Sequence, residues 1–269
     1  MKPLVKEKLQ HLQQILKDLG SCAIAYSGGV DSTFLSKVAY DVLGKNAVAV
    51  TAVSLTYPRR EFEDAKRFAQ SIGIPHLIIP SEELAIDGFS DNPPDRCYYC
   101  KKELFRRMQQ VAWEHHLNVV IDGSNADDSG DYRPGERALQ ELHIRSPLKE
   151  AGLTKQEIRA LSKSMKLESY DKPSFACLAS RFPYAVKITK ERLRQVEAAE
   201  GVLFSLGIKQ CRVRYHDHIA RIEVGRDELP VILANSSKII KHFKTLGFTY
   251  ITLDLEGYRT GSVNEVLNK

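Results

Sequence analysis

The six residues Ser27-Gly28-Gly29-Val30-Asp31-Ser32 set two glycines, two hydroxyls and one carboxylate between an apolar run, Cys22-Ala23-Ile24-Ala25-Tyr26, and a helical pattern from about Asp31 to Leu43. Backbone N–H groups at a helix N-terminus, aided by the helix dipole, bind phosphate. Glycines let that backbone approach an anion with no Cβ in the way. Ser27 and Ser32 add hydroxyls, and Asp31 is placed to hold a Mg²⁺ that spans phosphates. The Gly-Lys-Ser/Thr of the Walker loop is missing, so the pattern points to ATP chemistry other than γ-phosphate transfer. The competing reading is a strand-to-helix glycine turn without a ligand.

Sulfur is the second chemistry. Of five cysteines, Cys97 and Cys100 form a Cys-x-x-Cys placed just before a helix expected over Lys101–His115, and Cys177 lies in Ser174-Phe175-Ala176-Cys177-Leu178-Ala179-Ser180-Arg181-Phe182-Pro183-Tyr184. Cys22 and Cys211 fall in strands and read as packing residues. A structural zinc site wants four protein ligands, and no fourth partner is evident. Three soft thiolates suit a 4Fe-4S cluster with one iron left open to carry a hydrosulfide. A redox pair at Cys97 and Cys100, with Cys177 as a small buried apolar residue, explains the same residues without a metal.

The elements that must position these groups alternate. After a helix over Leu4–Leu19, strands at 22–26, 47–53, 76–79 and 118–122 are separated by helices, which implies a parallel sheet with helices on both faces. Thr154-Lys155-Gln156-Glu157 is a capping box opening a helix to about Met165. Beyond a non-periodic stretch, a helix (190–206), two strands (211–215, 220–224), a helix (229–246) and a strand (250–255) suggest a small α+β domain. The expected division is 1–168, a linker or active-site loop over 169–187 that carries Cys177, and 188–269. In the strand at 211–215, Arg212 and Arg214 alternate and so share a face. Two guanidiniums on one face make a phosphate fork; a solvated strand face is the plainer explanation.

A net charge of +5, with 43% apolar and 27% charged residues, fits an ordinary globular protein that handles anions. No apolar run approaches the roughly 20 residues of a membrane helix, and no signal-peptide pattern opens the sequence. A cytoplasmic protein with reduced cysteines is expected. The charge is too mild, and too little interleaved with aromatics, to suggest a nucleic-acid partner.

Ser27–Ser32 resembles the SGGxDS loop of the PP-loop ATP pyrophosphatases, the adenine nucleotide alpha hydrolase-like fold shared by GMP synthetase, NAD synthase and tRNA thiolases. Four further segments occur in the order that resembles the LarE sulfur transferases over nearly the whole chain. They are Asp122-Gly123-Ser124-Asn125-Ala126-Asp127-Asp128, Asp131-Tyr132-Arg133-Pro134-Gly135, Ser180-Arg181-Phe182-Pro183-Tyr184 and Arg212-Val213-Arg214. The resemblance implies adenylation of the carboxylates of a pyridinium biscarboxylate mononucleotide and exchange of oxygen for sulfur, toward the nickel-pincer cofactor of lactate racemase. ATP and Mg²⁺ are the implied cofactors, and a homo-oligomer the implied assembly.

In the single-cysteine type, the residue matching Cys177 gives up its own sulfur. Cys97 and Cys100 depart from that type and favour a cluster fed by sulfide or another sulfur donor. Within this picture Arg181 is expected to stabilise the acyl adenylate, Arg212 and Arg214 to hold the substrate phosphate, and Glu200 to line the substrate site. Asp127 and Asp128 are expected either to hold Mg²⁺ or pyrophosphate or to cap a turn. The alternatives are a tRNA thiolase, an ammonia-dependent ligase and a nucleotide sensor.

Overall fold

The computed structural model describes residues 3–128 and 134–268. Asp131, Tyr132 and Arg133 of the Asp-Tyr-Arg-Pro-Gly segment lie outside them. The chain packs as two compact units, one of Met1–Glu82 with Asp95–Phe175, the other of Glu83–Pro94 with Ala176–Lys269.

In the first unit, β1 (Cys22–Ala25), β2 (Ala47–Val53), β3 (His76–Pro80) and β4 (Val119–Ile121) form a parallel sheet in the order β3-β2-β1-β4. Its helices are α1 (Pro3–Leu19), α2 (Val30–Leu43), α3 (Arg59–Ile72), α4 (Arg96–Glu114), α5 (Pro134–Glu141), α6 (Pro147–Glu150) and α7 (Lys155–Ser164). Side chains alternate across β1. Cys22 and Ile24 enter a cluster with Leu16, Phe34, Ala65 and Ile158, from α1, α2, α3 and α7. Ala23 points the other way, to Phe105, Met108 and Leu139 from α4 and α5. A sheet apolar on both faces must be covered on both, which is why these strands read as unbroken apolar runs.

The strand order has a consequence for function. The chain leaves β1 toward β2 on one side and returns to β4 on the other, so a crevice opens beyond the carboxyl ends of β1 and β4. Open α/β sheets bind ligands at such switch points. The loop after β1 is Tyr26–Gly29, and the loop after β4 begins Asp122-Gly123-Ser124.

The second unit holds α8 (Lys190–Phe204), β5 (Cys211–His216), β6 (Ile219–Val224), α9 (Leu229–Ala234), α10 (Ser236–Thr245) and β7 (Tyr250–Leu253). The sheet order is β5-β6-β7, with an antiparallel first pair and a parallel second. The single helix expected over 229–246 is two helices, because Asn235 leaves helical geometry and its side-chain amide donates to Val231 O at 2.8 Å. Helix α4 begins at Arg96, directly after Asp95, rather than at Lys101. Cys97 and Cys100 therefore lie within its first two turns and not ahead of it.

Candidate active site

The loop after β1 is tied into a tight turn by its own hydroxyls. Ser27 Oγ and Ser32 Oγ are 3.2 Å apart, Ser27 N–H donates to Ser32 Oγ, and Ser32 Oγ–H donates to Gly29 O. Gly28 has φ +63°, and a Cβ there would stand 2.7 Å from Ala65 Cα. Both the left-handed backbone and the contact with α3 thus require glycine. Tyr57 Oη donates to Ser27 O at 2.9 Å and bolts the turn from outside. Gly123 brings the end of β4 close, since a Cβ there would lie 3.2 Å from Ser32 N.

These pieces enclose a cavity of about 430 Å³ within the first unit. Ser27, Gly29, Asp31 and Ser32 line one wall, Asp122, Gly123 and Ser124 another, and Lys101, Lys155 and Lys172 supply positive charge. Asp31 Oδ2 accepts from Lys155 Nζ at 2.5 Å, whereas Asp31 Oδ1 is buried with no hydrogen-bond partner. Burial pushes the Asp31 carboxyl above the usual carboxylate range, against the pull of Lys155. A buried carboxylate with one oxygen unanswered fits a hard divalent cation. Asp31 would hold Mg²⁺ here, beside the backbone that would hold the phosphates.

Asp127 and Asp128 act as caps, the plainer of the two expectations. Asp127 Oδ2 accepts from Lys155 N–H and Asp128 Oδ2 from Asn125 N–H. Asp122, known from the sequence only as the first residue of a motif, is buried and accepts from Ser124 Oγ and Ser146 Oγ, which fixes the wall that β4 contributes.

On α4, Cys97, Cys100, Lys101 and Leu104 follow the spacing that places residues on one helix face. Lys101 and Leu104 line the cavity, so the cysteine pair sits at the N-terminal end of a face that runs into it. Cys97 is exposed and Cys100 half-buried. Cys22 and Cys211 are fully buried, and burial pushes the Cys22 thiol up to about 12, as suits packing residues.

The second unit holds Cys177, half-buried at the start of a 3₁₀ turn, Leu178–Arg181. Thiolate chemistry suits iron and sulfur, but among the described residues no three His, Cys, Asp or Glu side chains form a group that could hold a metal ion.

Arg181, expected to face an acyl adenylate, is 1% exposed and pairs through one guanidinium edge with both carboxylate oxygens of Glu200, Nε to Oε1 at 2.8 Å and Nη2 to Oε2 at 3.0 Å. Its Nη1 donates to Ala176 O, Cys177 O and Ser180 Oγ. Burial works against its charge, yet Glu200, with Cys177 and Cys211 nearby, holds its pKa above the usual value. Glu200 Oε1 also accepts from Val213 N–H on β5. In this arrangement the pair braces the Cys177 turn against β5, because two charges out of water need each other.

Arg212 and Arg214 share a face of β5 but are no solvated pair, at 6% exposed each. Arg212 donates to Cys211 O and lies over the Tyr258 ring, its pKa lowered by burial and then by Arg181. Arg214 donates to both Glu223 oxygens, Ser180 O and Ser262 Oγ. With Arg181, His216 and Arg221 it lines a cavity of about 200 Å³.

Two cavity residues, Lys155 and Lys172, and Tyr57, which holds the loop from outside, escaped the sequence reading. Lys155 hides behind a capping box that reads as a helix start, Lys172 pairs with Glu61 and Asp64 from α3, and Tyr57 follows a featureless loop.

Comparison with known proteins agrees with this geometry. Residues 4–95, which contain the loop, match the NAD synthase family. An uncharacterised protein of Synechocystis, slr1717, is 46% identical over 99% of this chain and its own full length. The pyridinium-3,5-bisthiocarboxylic acid mononucleotide synthase of Lactiplantibacillus plantarum is 39% identical over 94% of this chain and 92% of its own. A tRNA-specific 2-thiouridylase of Caulobacter vibrioides is more distant, 24% identical over 80% of this chain and 68% of its own. With a nucleotide crevice at the switch point and a relative matched nearly end to end, the chain belongs to the LarE family of PP-loop, ATP-dependent sulfurtransferases.

Proposed function

We propose that the enzyme adenylates the carboxylates of pyridinium-3,5-biscarboxylic acid mononucleotide and replaces oxygen with sulfur, giving the bisthiocarboxylate precursor of the nickel-pincer nucleotide. The observation that carries this is the convergence, within one unit, of the phosphate loop, the half-satisfied Asp31 and the face of α4 that bears Cys97 and Cys100. The matched relative's name supplies the substrate class.

The chemistry balances in two steps. A substrate carboxylate oxygen attacks the α-phosphorus, the bond from that phosphorus to the bridging oxygen breaks, and pyrophosphate leaves with the electron pair. A sulfur nucleophile then attacks the acyl carbon, and the bond to AMP breaks. Asp31 holds the cation that offsets phosphate charge, and the loop N–H groups orient the triphosphate. We assign the mononucleotide phosphate to Arg212 and Arg214, with Arg214 trading part of its Glu223 pairing for it. Arg181 and Glu200 then serve this site by fixing the turn that carries Cys177.

We further propose that Cys97, Cys100 and Cys177 are the ligands of a 4Fe-4S cluster, on the strength of their donor chemistry. Such a cluster, when bound, supplies nucleophilic sulfur. The test is anaerobic purification with iron and sulfide quantitation, followed by incubation with substrate, Mg²⁺ and ATP. Thiocarboxylate formation with pyrophosphate release supports the function, and iron lost on changing any of the three cysteines to Ser supports the ligand set. A colourless protein that loses one sulfur from Cys177 per turnover would overturn the cluster and leave the reaction standing. Salt-sensitive binding of tRNA, without turnover of the mononucleotide, would move the enzyme to the thiouridylase class.

A further inference from the structure

Between β3 and α4 the chain leaves the first unit and returns to it. The excursion, Glu83–Pro94, packs instead with Ala176–Lys269 of the second unit, and it ends just before the helix that carries Cys97 and Cys100. Asn92 is where it is held. This residue is fully buried, and its Nδ2 donates to Pro183 O at 2.6 Å and to Phe182 O at 3.3 Å. Its own carbonyl accepts from Ala185 N–H at 3.0 Å, and Ser90 O accepts from Ile188 N–H at 2.8 Å. These bonds clasp two loops together and extend no helix or sheet. The backbone at Asn92 has φ +56°, a left-handed conformation that asparagine adopts more readily than most side chains. Asparagine therefore serves twice, in the turn and through an amide that answers two carbonyls.

Both clasped segments lead to sulfur. From Asn92 the chain runs through Pro93-Pro94-Asp95-Arg96 to Cys97, and the two prolines stiffen that connection. On the other side, Phe182 directly follows the 3₁₀ turn Leu178–Arg181 that Cys177 opens. We infer that Asn92 is a positioning residue for sulfur transfer, because its amide clasps the segment leading to Cys97 and Cys100 onto the segment following Cys177. The inference rests on the reading of these three cysteines as one sulfur site. Group transfer falls steeply when reacting atoms are misplaced, and a loose connection on either side of the clasp would misplace them. Asn92 does not line the nucleotide cavity, so adenylation does not depend on it.

The test compares the wild type with Asn92→Gly, which keeps the left-handed backbone and loses the amide, and with Asn92→Asp, whose ionised carboxylate keeps the shape and cannot donate. In a single turnover with substrate and Mg²⁺–ATP, pyrophosphate release should stay within about two-fold of the wild type, while thiocarboxylate formation falls by roughly 10–10²-fold, the scale of an ångström-sized misplacement. A general loss of structure would lower both together. A second readout needs no turnover. Full-length protein, chelated free of metal, is treated with a short bifunctional maleimide, and the joined peptides are identified by mass. The wild type should yield Cys97 or Cys100 joined to Cys177, and both variants several-fold less. Equal cross-link yields in wild type and variants would overturn the inference, as would their absence from the wild type or a parallel fall of pyrophosphate and thiocarboxylate. Undiminished thiocarboxylate formation in Cys97→Ser and Cys100→Ser would instead remove the three-cysteine reading on which it rests.

Discussion

Asp31 in the first unit and Glu200 in the second are carboxylates beside a cation near a reactive segment, yet they are built for opposite ends. Glu200 meets Arg181 through two oxygens and accepts a third bond from Val213 N–H, so nothing about the pair is left open. Asp31 has one oxygen on a lysine that is partly exposed and the other on nothing. A fully answered buried charge holds structure, and a half-answered one waits for a ligand. The contrast separates bracing from binding more surely than residue type does, since the sequence offers both Asp31 and Arg181 as groups for the chemistry.

Breaking each pair should expose the difference. Asp31→Asn is expected to lower ATP-dependent pyrophosphate release by about 10²–10³-fold, the scale of losing one preorganised electrostatic partner, with thermal unfolding nearly unchanged. A steady-state pyrophosphate assay beside a melting curve checks both halves, and a large drop in melting temperature would erase the contrast.

Arg181→Leu should act the other way, destabilising the protein by about 3–5 kcal/mol because Glu200 is left buried and unpaired. Urea unfolding measures it. The double variant Arg181→Leu/Glu200→Leu should recover part of that loss, and no recovery would mean that the pair was not the reason.

A smaller effect is expected at the turn that presents the loop. Gly28→Ala must hold φ +63° against Ala65 and should cost about 1–3 kcal/mol, together with weaker ATP binding.

The smallest sharpens the comparison through pH, where the units should agree. Burial lowers the pKa of His76, helped by Lys66, and of His216, helped by Arg221 and Arg214. A depressed histidine is neutral in the folded state, so the folded form binds fewer protons than the unfolded one. Its stability contribution is therefore present above the unfolded value of about 6.5 and is lost as pH falls through the folded value. Melting temperatures from pH 8 to pH 5 should decline less steeply in His76→Gln and in His216→Gln than in the wild type. Parallel slopes would remove either histidine from the account.

The sequence alone determined the sheet and its loop. Apolar runs such as Cys22–Ala25 have no polar face to offer solvent, so both sides had to be covered, and Gly28-Gly29 before a helix could only be a turn that exposes backbone donors. It also marked Asp31, because a carboxylate at that helix start has a local reason to be there. Tertiary structure decided what each charge is for. Arg212 and Arg214 read from strand alternation as a phosphate fork or a solvated face and Arg181 as a partner of the acyl adenylate, but all three are buried, with carboxylate partners 19 residues away for Arg181 and 9 for Arg214. Lys155 stands 124 residues from Asp31 in sequence, and only the folding of α7 against α2 brings the two together. Local patterns encode what a segment must do for its own backbone. Which side chain answers which charge depends on contacts between distant segments, and those exist only once the chain has folded.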